Sequence, residues 1–113
     1  MSQSVENIRA YDKALFQQLR STRAGIADTM GVPPFVIFSD RSLIDMAAKL
    51  PLNDNEMRDV SGVGEKKLER YGTPFIMTVR TYVEQNHVDV EKARAENFES
   101  VKPRSVGSNN KGV

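Results

Sequence analysis

Cysteine is missing from this chain, which excludes disulfides, thiolate metal sites and a cysteine nucleophile and fits a reducing cytoplasm. Histidine is nearly missing: His87 stands alone at an expected helix end, where the helix dipole is its simplest partner, and one imidazole cannot build a metal centre. Long apolar runs are absent too. None approaches the ~20 residues that span a bilayer, and Met1-Ser2-Gln3-Ser4-Val5-Glu6 lacks the charged-then-apolar order of a secretion signal. The expectation is a soluble, cytoplasmic chain with no membrane partner. Catalytic groupings are lacking as well. Asp12, Asp28, Asp40 and Asp45 read as single carboxylates on helix surfaces and caps, with no paired spacing for two-metal chemistry and no activated nucleophile among the serines. No catalytic or metal-ligating residue is assigned, and neither a cofactor nor enzymatic activity is expected of the chain itself.

What is present fits one small domain, since 113 residues bury roughly two-thirds of their unfolded surface around a single core. The formal charge of +1 is unevenly spread: residues 99–113 hold Lys102, Arg104 and Lys111 against Glu99, leaving 13 of the 16 basic and 14 of the 15 acidic residues in the remainder. The folded part is therefore close to neutral, and any contact with nucleic acid has to come from a local cluster and be weak.

Along the chain, residues 1–9 are polar and aperiodic and read as a linker or frayed end. From Tyr11, the residues Leu15, Leu19, Thr22, Ile26 and Met30 recur at the spacing of one helix face, with Lys13, Gln17, Arg20 and Arg23 opposite. Gly31 ends that helix, and Pro33-Pro34 introduces an apolar stretch through Phe38 that reads as an extended connector. Asp40 is the expected cap of a second helix with Leu43, Ile44, Ala47 and Leu50 inward. Asn53 with Glu56 reads as a capping-box start for a short third. A glycine corner follows, then a short fourth helix through Leu68 to Arg70 that stops at Gly72. Thr73-Pro74 opens a fifth, with Phe75, Ile76, Val79, Tyr82 and Val83 inward. Residues 87–99 form a possible helical extension, and residues 100–113 have too little apolar area to order. The expected fold class is all-α, a compact bundle of about five helices with a disordered C-terminal tail.

Two features carry potential chemistry. In Asp59-Val60-Ser61-Gly62-Val63-Gly64-Glu65-Lys66-Lys67, backbone amides at Gly62, Val63 and Gly64 precede a helix. They suit an anion, with Lys66 and Lys67 as reinforcement. The plainer reading has Gly62 and Gly64 supplying positive φ for a tight turn that seats Val63 in the core, both lysines being solvated. It is no nucleotide P-loop, because the glycine spacing, the Ser/Thr after lysine and the preceding strand are all missing. The second feature is Phe35. On a loop stiffened by Pro33-Pro34 it can offer a ring to a nucleobase, a stack worth about 1–3 kcal/mol, with Arg20, Arg23 and Lys13 tracking the backbone phosphates. Equally, Phe35 can join Val36, Ile37 and Phe38 in the core, with the arginines an ordinary solvated face.

Taken together, Tyr11-Asp12-Lys13-Ala14-Leu15-Phe16, Leu19-Arg20, Ile26-Ala27-Asp28, Val32-Pro33-Pro34-Phe35-Val36-Ile37-Phe38, Leu43-Ile44-Asp45-Met46-Ala47, Pro51 and the run from Val60 through Gly72 resemble the HRDC (helicase and RNase D C-terminal) domain. Residues 10–86 carry the likeness, which is greatest to the copy ending bacterial RecQ DNA helicases. The resemblance implies a non-catalytic five-helix bundle that assists a 3′–5′ motor in recombination and repair, with ATP and a divalent metal belonging to that motor. It implies a monomer that binds single-stranded or branched DNA weakly, associated with the nucleoid through DNA, and that meets the rest of the helicase or other repair proteins. Carried residue by residue, the DNA-facing positions are Phe35, Arg20, Arg23 and Lys13, with Gly62, Gly64, Lys66 and Lys67 as secondary phosphate contacts. Relatives commonly have Tyr where Phe35 stands and more cations along the first helix, which weakens the expected affinity. Two alternatives share the fold: a protein-docking module, favoured by the near-neutral charge, and the accessory domain of an RNase D-like nuclease.

Overall fold

Asp12 opens the first helix by accepting the Leu15 N–H at 3.0 Å, and Gly31, at φ 70°, closes it in the left-handed conformation. This element, α1 (Lys13–Met30), belongs to a computed structural model that describes residues 8–98. The expected tail and most of the expected N-terminal linker lie outside those residues. The buried line of α1 is Leu15, Leu19, Arg23 and Ala27, which departs from the expected stripe: Met30 is 44% exposed, and Thr22 and Ile26 are half-buried. Steps of four precess around a helix of 3.6 residues per turn, and here the next elements pack against the precessing line. Arg23, expected on the outer face, is thereby drawn inside.

Pro33 is extended, but Pro34 begins a helical turn, α2 (Pro34–Ile37), where a continuous extended connector was expected. Proline at the first helical position loses no hydrogen bond and is already at the right φ. The turn sends Ile37 and Phe38 fully into the core, where the Phe38 ring meets Phe75 and Tyr71 edge-on at 4.9 and 6.2 Å. Ser39, one residue before the expected cap, accepts the Ser42 N–H and starts α3 (Asp40–Lys49). Leu43, Met46 and Ala47 are buried, whereas Ile44 is only half so. In α4 (Asp54–Arg58) Asn53 caps Glu56 as expected, and the Glu56 carboxylate reaches back to the Leu52 N–H at 2.8 Å.

The expected fourth and fifth helices are one, α5 (Glu65–Gln85). Gly72 does not stop it. A Cβ there would lie 2.7 Å from Leu68 Cδ1, so the glycine makes room for a core leucine. Pro74 withholds one N–H, but Leu68, Tyr71, Phe75, Ile76 and Val79 are buried on one face to either side of it. That shared burial outweighs a single missing bond. Tyr82 ties this helix to the first, its hydroxyl meeting both Asp12 carboxylate oxygens at 2.8 Å. Burial, then the Asp12 hydrogen bond and charge, push the phenol up to about 12.

A last helix, α6 (Val90–Asn97), buries no residue fully; Val90 and Ala93 pack partly against the core, and polar contacts tie it to α3. Arg94 donates to the Lys49 and Leu50 carbonyls at 2.7 and 2.8 Å, and Asn97 donates to Ala48 O at 3.0 Å. The exposed carbonyls at the end of α3 are satisfied in this way. Among the described residues no strand forms, though Ile8 makes an isolated antiparallel bridge with Phe98. α1 packs on α2, α3 and α5, α4 on α5, and α6 on α3. No helix among the described residues is long and apolar enough to cross a membrane.

Candidate nucleic-acid interface

The single turn of α2 divides its side chains: Ile37 and Phe38 go inward, while Phe35 is left 70% exposed. It is the most exposed of the large apolar side chains among the described residues. Its platform is held from behind by Arg23, whose Nη1 donates to Phe38 O at 2.9 Å and whose Nη2 pairs with Asp40 Oδ1 at 2.8 Å. Arg23 is thus a fastening for the connector rather than an open cation, which corrects its placement on the solvated face. A positive side chain is tolerated there because a carbonyl and a carboxylate meet it.

Arg20 is exposed, its guanidinium 5.8 Å from the Phe16 ring. No acidic side chain pairs with it among the described residues. Lys13 is also exposed, but it begins α1, about 15 Å of helix before Arg23 at 1.5 Å per residue. It lines a separate recess with Tyr11 and Ile44.

The glycine corner is fixed from α3. Asp45, expected on a helix surface, is fully buried. It accepts the Ser61 N–H at 2.7 Å and pairs with Lys49 at 3.1 Å, while Lys49 also donates to Asp59 O. Gly62 is at φ 82°, which favours glycine, and a Cβ there would also push the Ser42 hydroxyl aside. Gly64 does not: its φ is −88°, contrary to the expectation that both glycines supply positive φ, and no atom stands within 4 Å of a Cβ there. Val63 is buried and its N–H goes to Val60 O at 3.1 Å. That amide is therefore already committed.

Lys66 is exposed at the start of α5. Lys67 leans back, its Nζ 5.6 Å from the centre of the Phe38 ring, and Arg70 lies 5.8 Å from that of Tyr71. Since Phe38 and Tyr71 touch, two features far apart in sequence share one neighbourhood: the cations after the glycine corner and the segment that carries Phe35. Arg70 escaped the sequence reading, because its link to the connector runs through the packing of Tyr71 on Phe38, a contact between residues remote in the chain. Among the described residues, no group of three His, Cys, Asp or Glu side chains could hold a metal ion.

A different surface lies between α1 and α5. Its groove of about 540 Å³ is lined by Gln18, Ser21, Thr22, Met77, Thr78 and other side chains, none of them charged. Thr22 and Thr78 hydroxyls bond across it at 2.7 Å.

A family model described as the HRDC domain matches residues 12–79. Among curated proteins, the chain is 47% identical over 68 residues to the ATP-dependent DNA helicase RecQ of Bacillus subtilis, covering 60% of this chain and 12% of that protein. It is 40% identical over 77 residues to RecQ of Haemophilus influenzae, covering 68% and 12%. To the ATP-dependent DNA helicase UvrD2 of Mycobacterium tuberculosis it is 39% identical over 69 residues, covering 61% and 10%. The match thus spans about an eighth or less of the length of these relatives.

Proposed function

The chain belongs to the HRDC domain family, and on that premise we propose that it is a non-catalytic accessory DNA-binding module of a RecQ-type 3′–5′ DNA helicase, tuning substrate choice in recombination and repair. Binding is weak and favours single-stranded or partly single-stranded DNA. ATP and its divalent metal belong to the motor of the parent protein, and association with the nucleoid follows from DNA contact. The named relatives are helicases, which favours this parent over an RNase D-like nuclease.

The observation that carries the reading is Phe35, 70% exposed beside a half-turned-out Val36, while Ile37 and Phe38 of the same segment are locked in the core. A nucleobase stacked there gains about 1–3 kcal/mol without regard to sequence. Arg20, Lys66, Lys67 and Arg70 supply cations for phosphates, and their small number sets a low affinity with a shallow salt dependence. Amide chemical-shift mapping with a single-stranded oligothymidylate tests the reading. Shifts gathered on residues 33–38 and the first turns of α5 support it; a response elsewhere, or none, removes this surface. A second reading, docking onto the helicase core or another repair protein, draws on the uncharged α1–α5 groove, which offers a phosphate no positive charge. In the same mapping it predicts shifts at Thr22 and Thr78 with protein and silence with DNA.

A further inference from the structure

Arg23 and Asp40 form an ion pair of very unequal exposure: the arginine side chain is 9% exposed and the aspartate 66%. The guanidinium is already immobilised by Phe38 O, and its buried Nε has no partner. Only Nη2 is turned toward a charge, and that charge sits on a solvated carboxylate. A carboxylate and a phosphodiester present the same thing to a guanidinium fork, one negative charge shared by two oxygens. We infer that Asp40 occupies the place of a backbone phosphate on Arg23, so that the pair is a masked DNA contact which Asp40 opens and closes.

This rests on the DNA-binding reading above and adds a determinant of its affinity. Phe38 O holds the guanidinium to the segment that presents Phe35, so a strand with a base on that ring brings its phosphates to the same platform. The carboxylate is well placed to be displaced. It is mostly hydrated already, and a phosphate that takes its place leaves the guanidinium paired. While it stays, Arg23 adds no net positive charge to the surface. The basic character missing from this face of the molecule is therefore present, but neutralised in place.

The test is a titration of the whole chain with oligothymidylate at low salt, repeated over a salt series. Asp40→Asn is expected to bind about three- to tenfold tighter, the scale of one added charge-assisted contact, with a log–log salt slope steeper by about 0.7 for one more phosphate. Glu84→Gln, which removes the same charge from the exposed far end of α5, controls for net charge. The Arg23 Nε–H resonance reads the site directly: it should shift with oligonucleotide in Asp40→Asn and stay still in Glu84→Gln. Asp40→Asn matching Glu84→Gln in affinity and slope, or an Arg23 signal unmoved by DNA in Asp40→Asn, would overturn the inference. Phe35→Ala in the same titration separates the two levels. If it weakens binding while Asp40→Asn does nothing special, the masking fails and the DNA reading stands; if Phe35→Ala is also without effect, the DNA reading itself fails.

Discussion

The glycine corner and the proline connector are both abrupt turns that lead into a helix, and each is pinned from behind by one buried charged side chain. Asp45 accepts an N–H from the corner, and Arg23 donates to a carbonyl of the connector. Their outcomes are opposite. The corner points Val63 into the core, whereas the connector buries Ile37 and Phe38 and leaves Phe35 and Val36 outside. Local turn chemistry does not decide which way the apolar residue faces. What differs is which apolar residues take the core: Ile37 and Phe38 do so for the connector, whereas Val60 and Val63 both do so for the corner.

If the corner is the structural turn of the two, damage there costs folding first. Asp45→Ala should destabilise by about 1–3 kcal/mol, the scale for leaving the Ser61 N–H without its acceptor, as read by denaturant unfolding. A loss under 1 kcal/mol, the range of exposed pairs, would deny the corner its anchor. Gly62→Ala should cost about 2 kcal/mol or more, combining positive φ with the approach to Ser42. Tyr82→Phe removes a tie of the α1–α5 frame that carries both turns, costing about 1 kcal/mol at neutral pH. Because the folded-state phenol is raised from 10.0 to about 12, its contribution is complete below pH 10 and lost as pH climbs from 10 to about 12. Alkaline unfolding of the Phe variant should lack that slope. Gly64→Ser should change stability by no more than about 0.5 kcal/mol, gaining an N-cap in open space. A fall in DNA affinity in that variant would assign a phosphate contact to the corner as well.

Caps were legible in the sequence because they are local. Gly31 and the Asn53–Glu56 pair each act within a few residues of themselves, and the cap expected at Asp40 falls one residue earlier, at Ser39. The unity of α5 was not legible, since Gly72 and Pro74 are strong local stop signals and only burial on both sides of them overrides the stop. Arg23 looked like any other arginine on a polar helix face, because the carbonyl and carboxylate that bring it inside lie on the next two elements. Asp45 was hidden for the same reason: its partner Ser61 is remote in the chain. The sequence alone also left Phe35 between core and surface. The family resemblance named it as a site, and the positions of Ile37 and Phe38 supply the physical ground for its exposure.

The most direct measurement is oligothymidylate affinity of Phe35→Ala at low salt, taken beside its unfolding free energy. A ring that stacks on bases and supports nothing beneath it should lose about tenfold or more in affinity with stability unchanged within about 0.5 kcal/mol. Undiminished affinity, or a loss of stability as large as that of a core phenylalanine, would contradict the account.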